Sequence, residues 1–259
     1  MWRLILQVDP GPRQQTLEQV HIGSAPLSAE LWRQVQAWSG TRRVWNTYGI
    51  TETGSWVAGP VGVPEPEPVD GLIGRGWNSR ILVAPKDVEP HTLASRHPAG
   101  VATGETGQVL LHTPDLMQGY LERPEETARV VHGLWLRTGD LGYLDDRGRL
   151  VLVGRERNEI NKGGIKISPE EVDLALERHP EIAEACTFRV ADDLLGEDLE
   201  VAVRLRPEAT LTAPQITRWV QEQLAAAKVP RAVHLVEEIP KTSRGKVNRE
   251  QVAAAVAGS

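Results

Sequence analysis

The chain has 259 residues, 40% of them hydrophobic and 25% charged, with a net charge of −6, a globular composition that allows one or two domains. The negative balance and the lack of any long Lys/Arg run exclude a nucleic-acid binder held by bulk charge. No stretch nears the length of a membrane span, the opening apolar run is too short for a signal peptide, and Cys186 is the only cysteine, so a reducing cytoplasm is expected.

Residues 1–60 are predicted as strand, loop, helix and strand. Residues 4–8 form a short apolar run, and residues 21–27 (HIGSAPL) read as a loop. Ser28 then caps a helix with Leu31, Val35 and Trp38 on one face, stopped by Gly40. A short strand over residues 43–45 leads into NTYGITETG at residues 46–54, an alternation typical of an α/β layer.

Residues 61–154 change character. Pro60, Pro64, Pro66 and Pro68 make a breaker-rich connection. Strands are predicted over residues 80–83 and 108–112, a short helix over 124–131, and a hairpin turning at Asp145, Asp146, Arg147 and Gly148. The segment 155–259 alternates helix and strand as a small α+β domain. It opens on GRERNEINKGGIKISPEEV, where a charged segment reads as a mobile loop, Gly163 and Gly164 permit positive φ, and Ser168, Pro169 and Glu171 spell a capped helix. Strands follow at 184–190, 199–205 and 232–236. A second capping box at Thr212 and Gln215 starts a helix with Ile216, Trp219, Val220 and Leu224 on one face, and a short helix ends the chain.

Three short motifs carry candidate chemistry. Thr51 beside Glu52 places a hydroxyl and a carboxylate where a phosphate and a hard cation would be held, and Tyr48 offers a flat face to a base. Asp140 in Thr138-Gly139-Asp140 can accept from both hydroxyls of a ribose, and Lys246 in PKTSRGKVNR can bring a point charge to a phosphate. Taken singly, each also reads as an ordinary surface turn or basic tail. The seven histidines show no metal-ligand spacing.

In order along the chain, NTYGITE, GETGQVLLHTPDLMQGYLERPEET, WLRTGDLGYLDDRGRLVLVGR, INKGGIKISPEEV and PKTSRGKVNR resemble the adenylate-forming enzymes, and the INKGGIKISPEEV form looks more like acyl-CoA synthetases than peptide-synthetase adenylation domains. The resemblance implies an α/β and α+β fold: residues 1–60 as a remnant of the large N-terminal domain, 61–154 as a β-rich, barrel-like subdomain, and 155–259 as a mobile C-terminal domain on a hinge. It implies a site for ATP or AMP with Mg²⁺, and CoA or phosphopantetheine as the thiol. Gly23, Ser24, Ala25, Asn46, Tyr48 and Gly49 would line the nucleotide, Thr51 would contact the α-phosphate, and Glu52 would hold Mg²⁺. Asp140 and Arg155 would bind the ribose, and Lys246 would stabilise the adenylation transition state. Arg157 would be the pivot, and Gly163 with Gly164 would line a thiol channel.

The Ser/Thr/Gly-rich phosphate loop that such enzymes carry upstream is missing from these residues, so the resemblance covers only a C-terminal half. Residues 1–60, with Trp32, Trp38 and Trp45, are expected to present a surface to a partner. The expected function is an acid–thiol ligase half, acting on a carboxylic acid or a ready-made acyl-adenylate. It would be completed by a separate N-terminal-half protein for ATP-dependent adenylation, and would pass the acyl group to CoA or a carrier protein. The alternatives are a non-catalytic AMP-site-bearing regulatory protein and an inert fragment of a longer ligase. Neither nucleic acid nor membrane is an expected partner.

Overall fold

The computed structural model describes residues 2–9, 17–23, 27–62, 68–88, 99–243 and 245–257. They form a mixed α/β structure in two compact units, Trp2–Glu156 and Arg157–Ser259, dividing two residues beyond the start expected for the C-terminal domain.

In the first unit, Trp2–Val8 is an α-helix, where the apolar run predicted a strand. A run this short does not reveal its period. What decides it is packing: Trp2 and Leu6, one turn apart, sit against the cluster around Trp32 and Val35. Strand β1 (Val20–Ile22) is already formed at the start of the expected loop, and it pairs in parallel with β2 (Val44–Asn46), with Ile22 opposite Asn46. The connecting helix, Ala29–Ser39, keeps both expected caps: Ser28 Oγ accepts from Leu31 N at 3.2 Å, and Gly40 takes φ 69°. Its buried face differs from the reading. Val35 is fully buried and Leu31 packs partly buried against the same cluster, as expected, but Trp32, at 1% exposed, fills the core and Trp38 does not join it. Trp32 is therefore no partner-facing residue, and Trp38 and Trp45 are half-buried.

The rest of this unit is an eight-stranded antiparallel sheet. Its strands are β3 (Tyr48–Gly49), β4 (Trp56–Gly59), β5 (Leu72–Gly76), β6 (Arg80–Ala84), β7 (Gly107–His112), β8 (Val131–His132), β9 (Trp135–Leu144) and β10 (Leu150–Arg155). They run in the order β3-β4-β5-β10-β9-β7-β6, with β8 on β9, so the sheet crosses position 60 without a break. The turn between β9 and β10 is the expected one: Asp145 Oδ1 accepts from Arg147 N and Arg149 N, and Gly148 takes φ 67°. Register across that hairpin sets Arg155 opposite Asp140.

The second unit begins with the 3₁₀ turn Glu156–Asn158. The segment after it, expected to be a mobile loop, is a hairpin of β11 (Ile160–Lys162) and β12 (Ile165–Ile167). Gly163 (φ 56°) and Gly164 (φ 91°) form the two-residue turn, the positive-φ pair that matches strand twist. The polar residues Asn161, Lys162 and Lys166 disguise it, whereas Ile160 and Ile167 face each other at 1% and 0% exposed. Helix Pro169–Glu177 starts where expected but without the expected box. Ser168 Oγ donates to Glu170 Oε2 at 3.0 Å, and Glu171 pairs with Lys228 at 2.5 Å.

Strands β13 (Ile182–Asp192) and β14 (Gly196–Leu205) form the long central hairpin, and β15 (Ala232–Leu235) adds in parallel to β14. Alternation along β14 separates two cores. Val201 and Val203 join Ile160, Ile167, Val172, Ile216 and Val220, under helices Pro169–Glu177 and Ala213–Gln223. Ala202 joins Cys186, Phe188, Ile239 and Val252, under helix Arg249–Ala257. The Thr212–Gln215 box forms, with Thr212 N donating to Gln215 Oε1 at 2.9 Å. Burial pushes the Cys186 thiol up to about 12, which suits a core residue and not a nucleophile. Among the described residues no helix is long and apolar enough to cross a membrane.

Candidate nucleotide site

Neighbouring strands lie about 4.8 Å apart, so β3 and β9, four steps apart in the sheet order, would be about 19 Å apart in a flat sheet. They meet: Tyr48 Oη, on β3, donates to Asp140 Oδ2, on β9, at 2.5 Å. The sheet is therefore curled, and the curl assembles the site. Asp140 Oδ1 lies 2.7 Å from Arg155 Nε, its partner in strand register. The backbone before Asp140 is fixed as well. Thr138 Oγ1 accepts from Asp140 N at 3.0 Å and donates to Val109 O at 2.8 Å, while Gly139 takes φ 73°. Burial, followed by the Asp140 charge, raises the Tyr48 phenol well above its ordinary value, so it remains a donor. Tyr48 was expected to offer its ring to a base. Instead it is 7% exposed with its ring in the core cluster, and it reaches Asp140 through its hydroxyl.

Thr51 and Glu52 lie on the 3₁₀ turn Thr51–Thr53, which follows β3. Thr53 Oγ1 donates to Ile50 O at 3.0 Å and Gly54 N donates to Thr51 O at 3.1 Å, which closes the turn with Thr51 exposed. Glu52 Oε1 accepts from Tyr120 Oη at 2.7 Å, and Glu52 O accepts from Met117 N at 2.8 Å. Tyr120 was not singled out from the sequence. It stands in LMQGYLERPEET, a segment that already resembled the family, but nothing local links it to Glu52.

The other expected residues are placed as follows. Gly23 follows β1 where a Cβ would sit 3.0 Å from Thr47 O, and at Gly49 a Cβ would sit 2.0 Å from Ser55 O. Glycine at position 49 therefore reflects backbone packing within this turn. Ser24 and Ala25 lie outside the described residues. Asn46, expected at the nucleotide, is buried and turns its amide to Leu72 O at 2.7 Å, so its contact here ties β2 to β5.

In the other unit, Arg157 is exposed and its carbonyl accepts from Arg189 Nη2 at 3.1 Å. The Gly163-Gly164 turn is held by Gly163 N donating to Leu195 O at 2.9 Å and Gly164 N to Asn161 Oδ1 at 3.1 Å. Lys246 stands on an exposed turn whose ends pair at Lys241 and Val247, with Thr242 N donating to Lys246 O at 2.7 Å. Among the described residues, no cluster of three or more His, Cys, Asp or Glu could by itself hold a metal ion.

A family model described as AMP-binding enzyme matches residues 1–121, and one described as AMP-binding enzyme C-terminal domain matches residues 171–246. The chain is 32% identical over 237 residues to a long-chain-fatty-acid–CoA ligase of Bacillus subtilis, covering 89% of this chain and 39% of that one. It is 41% identical over 147 residues to an oxalate–CoA ligase of Arabidopsis thaliana, covering 57% of this chain and 29% of that one. Its fold matches ATP-bound MatB from Rhodopseudomonas palustris with a TM-score of 0.78 and 25% identity, over 92% of this chain and 45% of that one. The chain thus spans less than half the length of each of these proteins.

Proposed function

The chain belongs to the AMP-binding enzyme family, and from that membership we propose that it carries the AMP side of an acid–thiol ligase, joining a carboxylic acid to CoA or a phosphopantetheine thiol through an acyl-adenylate. The observation that carries this reading is Asp140, whose two carboxylate oxygens are held by Tyr48 and Arg155. A carboxylate offers roughly four acceptor positions, so an Asp fixed at both oxygens still has capacity for ribose hydroxyls. Its orientation is set before the nucleotide arrives, which lowers the ordering cost of binding. The names of the relatives, a long-chain-fatty-acid–CoA ligase and an oxalate–CoA ligase, support the reaction class.

Glu52 fits Mg²⁺ chemically. It is a hard oxygen donor with one oxygen steadied by Tyr120, and Mg²⁺ is usually bound through one or two carboxylates together with substrate phosphates. When bound, the ion would neutralise phosphate charge. Thr51, exposed on the same turn, is the donor to the α-phosphate. Lys246 supplies positive charge to the adenylation step, and Arg157 is the pivot about which the Lys246 turn and the Gly163-Gly164 hairpin serve successive half-reactions.

These 259 residues contain no Ser/Thr/Gly-rich phosphate loop, so we assign ATP-dependent adenylation to this chain together with a further segment, on this or a separate polypeptide. Two assays test this: ATP–pyrophosphate exchange, and thioester formation from a synthetic acyl-adenylate, each with the chain alone and with a supplied phosphate-loop half. The expected result is thioester from the adenylate with the chain alone and exchange only on mixing. AMP binding with neither activity would replace this reading with a regulatory one, and no nucleotide binding at all would end it.

A further inference from the structure

The turn bearing Lys246 is closed on itself. Lys241 pairs with Val247, Gly245 N donates to Thr242 O at 2.8 Å, and Asn248 N donates to Pro240 O at 3.0 Å. Such bonds fix the shape of a turn but not its place in the fold, which depends on what holds its two ends. Upstream, Lys241 Nζ lies 3.0 Å from Glu184 Oε1 on β13. Downstream, Arg249 is the first residue of helix Arg249–Ala257, and its side chain runs inward. Nη2 lies 2.8 Å from Asp173 Oδ2 and 3.2 Å from Glu170 Oε1, and Nη1 donates to Thr187 O at 2.6 Å. One guanidinium therefore ties the end of the Lys246 turn to helix Pro169–Glu177 and to β13 together.

The same helix is tied to the pivot. Asn158 Nδ2 donates to Glu170 Oε1 at 2.6 Å, and Ser168 Oγ donates to Glu170 Oε2 at 3.0 Å. Asn158 ends the 3₁₀ turn that contains Arg157. A single carboxylate oxygen, Glu170 Oε1, thus faces Arg249 on one side and Asn158 on the other. Neither link is visible in sequence, because each joins segments that only the fold brings together.

We propose that Arg249 is the positioning residue for Lys246: through Glu170 and Asp173 it fastens the lysine's turn to the element that fastens the pivot turn, so the two move as one piece. This rests on the roles given above to Lys246 and Arg157. Arginine suits the task because its planar fork reaches several acceptors at once, whereas lysine brings a single point charge. Burial works against the Arg249 charge, but the acidic groups facing it more than offset this and raise the guanidinium above its ordinary value.

Limited trypsin digestion of the full chain reads both ends directly, since Arg157 and Lys246 are exposed cleavage sites. In Glu170→Gln, cleavage after both residues should rise together, roughly tenfold, as the loss of one charge-assisted hydrogen bond predicts. Melting temperature should fall by only about a few degrees, and cleavage elsewhere should rise far less than at these two sites. Arg249→Met should raise both rates further, and Arg249→Lys should recover part of the loss. A rise at one site only, no rise at either, or an equal rise at every site would each overturn the coupling.

A second readout separates this inference from the reading beneath it. With the phosphate-loop half supplied, Arg249→Lys should lower the kcat of pyrophosphate exchange roughly tenfold while KM for the acid stays within about twofold. Loosened cleavage with unchanged exchange would remove Lys246 from adenylation and leave the mechanical coupling standing.

Discussion

Tyr48 and Asp140 are 92 positions apart, yet the Tyr48 hydroxyl donates to Asp140 Oδ2 at 2.5 Å, inside a sheet curled enough to bring β3 to β9. The bond joins the closure of the fold to the candidate ribose site, because the residue that anchors the curl also fixes one oxygen of the carboxylate. Arg155 fixes the other through strand register. Fold and site therefore share a side chain here, and a change at Tyr48 should register in both.

Tyr48→Phe keeps the ring in the core and removes only the donor. Asp140 is 3% exposed, so its Oδ2 loses a partner that water does not readily replace. Hydrogen bonds to charged groups contribute about 1.5–3 kcal/mol, and a loss of about 2 kcal/mol is expected in urea unfolding of the full chain. AMP affinity measured by calorimetry should fall about tenfold, the loss for one such bond. An unchanged affinity alongside the lost stability would confine Tyr48 to the fold.

The Tyr120–Glu52 bond makes a pH prediction. The hydrogen bond to Glu52, then burial, then the Glu52 charge push the Tyr120 phenol from 10.0 up to about 12. A folded value above the unfolded one means that the protonated phenol is favoured by folding. Its contribution is full below pH 10 and is lost as pH rises through 12. In a rapid pH-jump monitored by tyrosinate absorbance, Glu52→Gln should bring one phenol back towards 10. No change in the titration would show that the bond is not made in solution.

Where local chemistry decides, the sequence was readable. Ser28 and Gly40 bound their helix, Asp145 and Gly148 turn their hairpin, and Thr212 and Gln215 close their box, because each signal acts within a few residues. Asp140 and Arg155, each picked out from its own motif, stand opposite each other in strand register. What escaped was set at long range. Tyr120 meets Glu52 across 68 positions, and Trp32 enters the core because the cluster around Val20, Val44 and Leu72 fills the space beneath that helix face. The β11–β12 hairpin was hidden by its charges, since Ile160 and Ile167 form a buried pair only in the folded register.

Asp173 tests the largely buried network from the side of charge. Burial pushes its carboxyl from 3.8 up to about 7, against the lowering effect of Arg249, and Glu170 raises it further. Cys186, whose thiol is itself raised to about 12, and Thr187, which donates to Oδ1 at 2.5 Å, are the other groups facing it. The protonated acid is then the form favoured by folding. Stability from this group is full below about 3.8 and is lost as pH rises through about 7. Asp173→Asn stays neutral throughout, so its stability relative to wild type should climb between those values in chemical denaturation and level off above them. A relative stability that instead declines with rising pH would mean that Arg249 outweighs burial and holds Asp173 ionised.

The Gly163-Gly164 turn carries the last prediction, in which strain and space can be told apart. At Gly163 (φ 56°) an added Cβ would lie 3.1 Å from Leu195 Cδ2, whereas at Gly164 (φ 91°) nothing lies within 4 Å. Placing an ordinary L-residue at positive φ costs about 1–2 kcal/mol, so Gly164→Ala should lose stability through strain alone. Gly163→Val should lose more, because β-branching at positive φ adds to the close contact with Leu195. Asn is the residue that two-residue turns of this kind accept before glycine, so Gly163→Asn should cost least, even though its Cβ meets the same Leu195. Thermal unfolding of the full chain should rank the variants Asn at 163, Ala at 164, Val at 163, from least to most destabilised. If Asn proves as damaging as Val, the Leu195 contact and not backbone conformation sets the requirement for glycine, and the turn should then accept Asn once Leu195 is shortened to Ala.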